Sequence, residues 1–396
     1  MKRNRIRNST FIHAVSILFF IEFARSGFVF SYLPAYAANE LQLSASVIGI
    51  AISIHYVADT LIKCVAGFWL DRLNPRLILY FSLACVTGGL LLANYAGSVW
   101  SFVTGTALIG IGVSPIWLIC LSEVNPVGRA SQMGMLYTAW FASLGGGLVI
   151  TNFLIDHDIF TAFTVLMAMC CAGCAAALPF EPEANSALRQ IPLKRQWIEL
   201  RNKLVRMKPL IPGMVLQTTA GGMLVPILPG FAANTLELNY SQYSLLLLVG
   251  GICATALLIP MGKWTDRLHY RVFLVIGFGA ITAFLFGITF IRGLAYMIPF
   301  AVLIGIAFAA AMPAWNALMA RYVPQEHPGM GWGVLSSVEG IGVMIGPAIG
   351  GAIAGIYGET ATVWISAGLL GVIALFYFFF TPAEDKEGAS RHMPAS

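Results

Sequence analysis

The sequence predicts an all-α membrane protein of twelve transmembrane helices in two six-helix bundles. Three observations predict it. Only 10% of the residues are charged against 58% hydrophobic. The apolar residues gather into runs of bilayer-spanning length, split six and six by a charged stretch. Short segments of the first half recur in the second at one offset.

Composition comes first. A soluble domain carries about 25% charged residues, and 23 Lys+Arg with 18 Asp+Glu cannot cover the surface of a 396-residue globule. The mean hydropathy of +0.79 fits a chain solvated mostly by lipid. The net charge of +5 does not point to nucleic acid, because the basic residues form short clusters between apolar runs. The seven cysteines, Cys64, Cys85, Cys120, Cys170, Cys171, Cys174 and Cys253, lie inside those runs without ligand spacing. They read as packing residues, and no metal or cofactor is expected beyond protons as a coupling ion. The N-terminus is basic and then apolar, but lacks a small-residue cleavage site, so it is expected to remain as the first helix.

Runs of about 20 residues fall near 11–36, 46–69, 77–95, 100–121, 131–154, 159–180, 209–233, 241–262, 271–291, 294–318, 332–355 and 361–380. The expected organisation is a bundle over 1–180, a cytoplasmic linker over 181–208 rich in Arg and Lys, a second bundle over 209–380, and a tail over 381–396. Loops from odd to even spans carry Glu40, Asp156, Asp158, Glu237 and Glu359. The opposite side holds most Lys and Arg, so the positive-inside rule places both termini in the cytoplasm of a multi-pass protein in the cell membrane.

The repeat has an offset of 195 residues. Gly67-x-x-x-Asp71-Arg72, with Arg76 four beyond, recurs as Gly262-x-x-x-Asp266-Arg267, with Arg271 four beyond. Leu108-Ile-Gly110-Ile recurs as Leu303-Ile-Gly305-Ile, and Pro34-Ala-Tyr36-Ala as Pro229-Gly-Phe231-Ala. Parallel duplication of a six-helix unit resembles the major facilitator superfamily, whose substrate site lies between the halves near the midplane. The Gly-x-x-x-Asp-Arg element resembles that superfamily's cytoplasmic loop motif, with Asn74 and His269 where a second glycine is usual. These are gate residues rather than substrate ligands.

Ionisable residues inside spans are costly unless paired or lining a polar cavity. Glu22 and Arg25 stand at i,i+3 on the first span, and His55, Asp59 and Lys63 at successive i,i+4 positions on the second. Glu22 and Asp59 each lie 13 residues from the expected outer end of their span, or about 20 Å deep at 1.5 Å per residue. An acid-base-acid set at one depth suits proton-coupled transport, with either Glu22 or Asp59 as the titrating group. A buried structural ion network is the plainer alternative. His55 is a candidate relay or a packing residue, and Lys63 lies near enough to the end of its span to snorkel.

At the repeat offset Glu22 becomes Gln217, Arg25 becomes Ala220, Asp59 becomes Ala254 and Lys63 becomes Leu258. A polar half and an apolar half suit an amphiphile with a polar head and acyl tails. Glu339 on the eleventh span is the exception. Candidate cavity residues are Trp117, Trp140, Trp315, Asn316 and Trp332, with proline breaks expected at Pro115 and Pro313 and a bend at Pro226 and Pro229.

Phe19-Phe-Ile-Glu22-Phe-Ala-Arg25, Ser53-Ile-His55-Tyr-Val-Ala-Asp59, Ser114-Pro-Ile-Trp117, Leu224-Val-Pro-Ile-Leu-Pro229, Pro313-Ala-Trp315-Asn-Ala-Leu-Met-Ala-Arg321 and Trp332-Gly-Val-Leu-Ser resemble the lipoteichoic-acid glycolipid-anchor flippases of Gram-positive bacteria. The likeness runs across nearly all the spans. It implies proton-coupled antiport of diglucosyl-diacylglycerol from the inner to the outer leaflet, with lipoteichoic-acid synthesis enzymes as partners. It also implies that Glu22, Arg25 and Asp59 hold proton and headgroup and that Trp117 lines the cavity, and it leaves Glu339 unexplained. The rivals are a proton-driven multidrug efflux antiporter and a membrane acyltransferase. For the latter, His55-x-x-x-Asp59 is one residue short of the usual His-x-x-x-x-Asp spacing.

Overall fold

A computed structural model describes residues 2–70, 73–123, 129–181, 210–322 and 328–379, and no strand occurs among them. The helices are α1 (Lys2–Gly27), α2 (Leu33–Asn39), α3 (Ala45–Leu70), α4 (Pro75–Asn94), α5 (Val99–Ser122), α6 (Arg129–His157), α7 (Ile159–Ala177), α8 (Ile211–Leu224), α9 (Leu228–Gly230), α10 (Tyr240–Arg267), α11 (Tyr270–Ile288), α12 (Leu294–Tyr322), α13 (Pro328–Tyr357) and α14 (Glu359–Phe379). Wider π-turns at Phe28–Tyr32 and Phe231–Thr235 follow α1 and α9. Among the described residues eleven helices are long and apolar enough to span a bilayer, or twelve when 211–235, broken after Leu224, counts as one.

The duplication is written in the backbone. Leu43 N–H donates to Ala37 C=O at 2.8 Å, and 195 residues later Leu238 N–H donates to Ala232 C=O at 2.9 Å. Between these partners Gln42 and Glu237 take φ of 50° and 57°, the left-handed turn that stops each helix. Asn74 caps α4 by accepting the Arg76 N–H at 2.9 Å, and its counterpart His269 caps α11 by accepting the Arg271 N–H at 3.4 Å. Each supplies a side-chain acceptor to the helix start, at the position where the loop motif it resembles usually carries a second glycine.

The chain forms two compact units. One comprises Met1–Gln190, Val225–Leu245 and Pro347–Glu359, and the other Ile191–Leu224, Leu246–Gly346 and Thr360–Ser396. Two boundaries coincide with proline. Pro226 sits in the three-residue gap between α8 and α9, and Pro347 sits inside α13, where a missing N–H weakens the helix. Pro115 and Pro313, by contrast, leave α5 and α12 continuous, so the breaks expected there are absent. The expected linker beyond Glu181 and the tail lie outside the described residues.

In the first unit α1 packs against α6 and α7, and α5 against α3 and α4. Phe28, Tyr32, Leu33 and Phe102 are buried in its core. Its later segments lie on α3 and α6. Gly49 faces the Pro347 carbonyl so closely that a Cβ would collide with it, and Ser53 Oγ accepts the Ala348 N–H at 2.8 Å. Asp156, near the end of α6, accepts the first N–H groups of α10 from Tyr240 at 2.9 Å and Ser241 at 2.5 Å, a carboxylate at a helix N-terminus. The core of the second unit is built on Trp315, Tyr377 and Phe278.

Candidate functional site

The polar cluster expected on the first two spans forms two ion pairs. Glu22 and Arg25, buried at 3% and 8% exposure, meet at 2.7 Å through Nη2 and at 2.9 Å through Nε. Both nitrogens converge on one carboxylate oxygen, Glu22 Oε2. On α3 the Lys63 ammonium turns back to Asp59 at 2.5 Å, although 45% of the Lys63 side chain is exposed. It therefore does not snorkel to the end of its span, because the carboxylate one turn away holds its charge. The Tyr56 phenol lies within electrostatic reach of both Arg25 and Asp59.

The sequence reading missed Ser114 as a partner of this cluster. Its hydroxyl, on α5, meets the Asp59 carboxylate and lies 2.6 Å from the Asp59 carbonyl. Gly110 lets α5 come so near, because a Cβ there would run into the His55 carbonyl. His55 is 1% exposed, and its Nδ1 donates to the Thr106 carbonyl at 3.1 Å. The carbonyl can only accept, so the proton sits on Nδ1. One turn beyond Ser114, Trp117 forms an aromatic group with Trp140 at 6.0 Å and Tyr137 at 5.6 Å between ring centroids.

In the second unit Trp315 is 1% exposed, packed between Phe278 and Tyr377, and its indole N–H donates to Glu339 Oε1 at 3.1 Å. It offers no open face for a sugar ring. Asn316 beside it is exposed. Gln217 is half-buried, and its Oε1 is enclosed without a hydrogen-bond partner. Both late arginines of the repeated motif cap a helix end. Arg76 Nη2 donates to the Leu178 carbonyl at 2.9 Å beyond α7, and Arg271 Nε donates to the Tyr377 carbonyl at 2.7 Å in α14. Gly262 lies in α10 near Pro313, and Arg267, which ends α10, is exposed. Gly67 and Asp266 are helical, while Asp71 and Arg72 lie outside the described residues, as do the side chains of Trp332 and Asp266. Among the described residues no group of His, Cys, Asp and Glu could hold a metal ion.

A duplicated bundle of membrane-spanning helices with ion-paired acids at span depth is the architecture of a membrane transporter. The Major Facilitator Superfamily model matches residues 15–217 and 210–394, and the chain belongs to that superfamily. It is 32% identical over 391 residues to the "Proton-coupled antiporter flippase LtaA" of Staphylococcus saprophyticus subsp. saprophyticus, covering 97% of each chain. Proteins of the same description from Staphylococcus epidermidis and Staphylococcus aureus are each 31% identical, covering 95% and 94% of this chain and 96% and 95% of theirs. Among solved structures, the nucleoside transporter NupG superposes with a TM-score of 0.75 at 15% identity, over 93% of this chain and 99% of its own. A bacterial homolog of the human lysosomal transporter Spinster superposes with a TM-score of 0.73 at 15% identity, over 95% and 99%. At such identities the likeness is one of fold.

Proposed function

We propose that this protein is a proton-coupled antiporter that flips a glycolipid, diglucosyl-diacylglycerol, from the inner to the outer leaflet of the cell membrane by alternating access. The observation that carries the reading is the pairing of Glu22 with Arg25 and of Asp59 with Lys63 at the depth of the spans. It stands in a chain that matches proton-coupled antiporter flippases over nearly its whole length. Protonating either acid breaks its ion pair and frees the cation, Arg25 or Lys63, to meet sugar hydroxyls. Trp117, Tyr137 and Trp140 supply aromatic faces one turn from Ser114, where a glucose ring can stack.

The charge-poor second half, with Gln217, Ala220, Ala254 and Leu258 in place of the cluster, suits acyl tails. The Lys and Arg distribution puts both termini in the cytoplasm, so the face carrying Glu40, Asp156 and Glu237 is the outer one. On this reading the enzymes that build lipoteichoic acid on the anchor are the protein's functional partners.

The deciding experiment is a proteoliposome assay with fluorescent diglucosyl-diacylglycerol, with and without an imposed pH gradient. Gradient-stimulated flipping is the expected result. Proton flux triggered by a hydrophobic cation but not by the glycolipid would make the protein a drug antiporter instead.

A further inference from the structure

Glu339, in the second unit, differs from Glu22 and Asp59 in its partners. Glu22 and Asp59 each carry a cation in direct contact, whereas Glu339 meets the Trp315 indole N–H and, among the described residues, nothing else. Among the described residues, the side chains packed around it bring no charge. From α12 comes Trp315. Phe278 of α11 and Tyr377 of α14 pack on that indole. From α8 come the neutral Val215, Thr218 and Thr219 against Gly342, one turn along from Glu339. Arg271 at the start of α11 is turned to the Tyr377 and Phe378 carbonyls. Glu339 is half-buried, and its second oxygen has no hydrogen-bond partner among the described residues. The pair is not inherited from the duplication, because at the repeat offset Trp315 and Glu339 correspond to Cys120 and Leu144.

We infer that Glu339 is a second proton-exchanging carboxylate of the transport cycle. Oε1 keeps the Trp315 N–H in either protonation state, since a carbonyl oxygen of the neutral acid and a carboxylate oxygen both accept it. Oε2 takes a proton from water and returns it to water. Protonating Glu22 or Asp59 breaks an ion pair and strands a cation, whereas protonating Glu339 strands nothing. The proton-binding claim stands apart from the flippase reading, while its role in coupling rests on that reading.

The test is infrared spectroscopy of the full-length protein in detergent, without substrate, titrated with pH. A carbonyl stretch of a protonated carboxylic acid that rises and falls with pH is expected in the wild type and in Asp59→Asn, and is expected to disappear in Glu339→Gln. The Gln side chain still accepts the Trp315 N–H, so thermal unfolding should match the wild type. Trp315→Phe, which removes the clamp, should move the pH at which the band titrates. A titrating band unchanged in Glu339→Gln overturns the inference, as does an unmoved midpoint in Trp315→Phe. In proteoliposomes with fluorescent diglucosyl-diacylglycerol, Glu339→Gln should lose at least about tenfold of the gradient stimulation. A wild type that shows the Glu339 band but flips no glycolipid sinks the proposed function and leaves this proton site standing.

Discussion

The Ser114 hydroxyl on α5 lies against both the carboxylate and the carbonyl of Asp59 on α3, so one side chain ties the charged group and its backbone to the neighbouring helix. Asp59 is thereby fixed on one side by Ser114 and on the other by the Lys63 ammonium at 2.5 Å. The acid is held in place before any substrate or proton arrives. A rigid acid is a better coupling group than one free to choose rotamers.

Replacing Asp59→Asn removes the negative charge and keeps the shape. Gradient stimulation of glycolipid flipping in proteoliposomes is expected to vanish while the unfolding temperature in detergent stays near that of the wild type. Undiminished dependence on the pH gradient would remove Asp59 from the coupling machinery.

Arg25→Met should be far more damaging than the paired change. Alone it leaves Glu22 buried at 3% exposure without its cation, a loss of about 3–5 kcal/mol. Combined with Glu22→Leu it removes both charges, and most of that stability should return. Thermal or denaturant unfolding of the two single variants and the double variant measures the coupling. Additive losses would show that the pair does not act as a unit.

Gly110→Ala should separate α3 from α5, because the new Cβ would strike the His55 carbonyl. Weaker thermal stability and weaker coupling are expected together, since the same shift pulls Ser114 from Asp59 and Thr106 from His55. Gly88→Ala on α4, where a Cβ meets nothing within 4 Å, is the control and should be neutral or slightly stabilising. Equal effects at the two sites would refute the close-approach argument.

Asp156 ties the end of α6 to the first turn of α10, and Tyr240 OH accepts a hydrogen bond from Asn39 Nδ2 at 3.1 Å. Asp156→Ala should loosen that contact. Thermal unfolding of the Asp156→Ala variant in detergent is expected to begin at a lower temperature than that of the wild type. An unchanged unfolding temperature would mean that the cap does not hold α10 to α6.

Asp158 caps α7, accepting both the N–H and the hydroxyl of Thr161 at 2.8 Å. These bonds to the ionised form hold its carboxyl below the usual carboxylate range. A depressed folded-state pKa contributes stability that is present above the unfolded value and is lost as pH falls through the folded one. Asp158→Ala should therefore unfold at a lower temperature than the wild type near neutral pH, and the gap should close in acid. A gap that persists with the carboxylate protonated would point to packing instead.

Much of this protein is legible without coordinates. The spans and the 195-residue repeat follow from hydrophobic runs and local motifs, because a bilayer leaves few ways to satisfy a backbone. The i,i+3 and i,i+4 spacings of Glu22 with Arg25 and of Asp59 with Lys63 also announce their pairing, since helix geometry alone brings such residues together. What the sequence could not supply are contacts between residues far apart in the chain. Ser114 reaches Asp59 only because Gly110 admits α3, Asp156 caps α10 from 84 residues away, and Trp315 is buried against Tyr377 rather than open to a ligand. Prolines of the same type interrupt the chain at Pro226 but not at Pro115 or Pro313. The local pattern sets which segments are helical and which faces carry charge. Tertiary packing decides which helices meet, which proline bends its span, and which side chains reach Asp59 and Glu339.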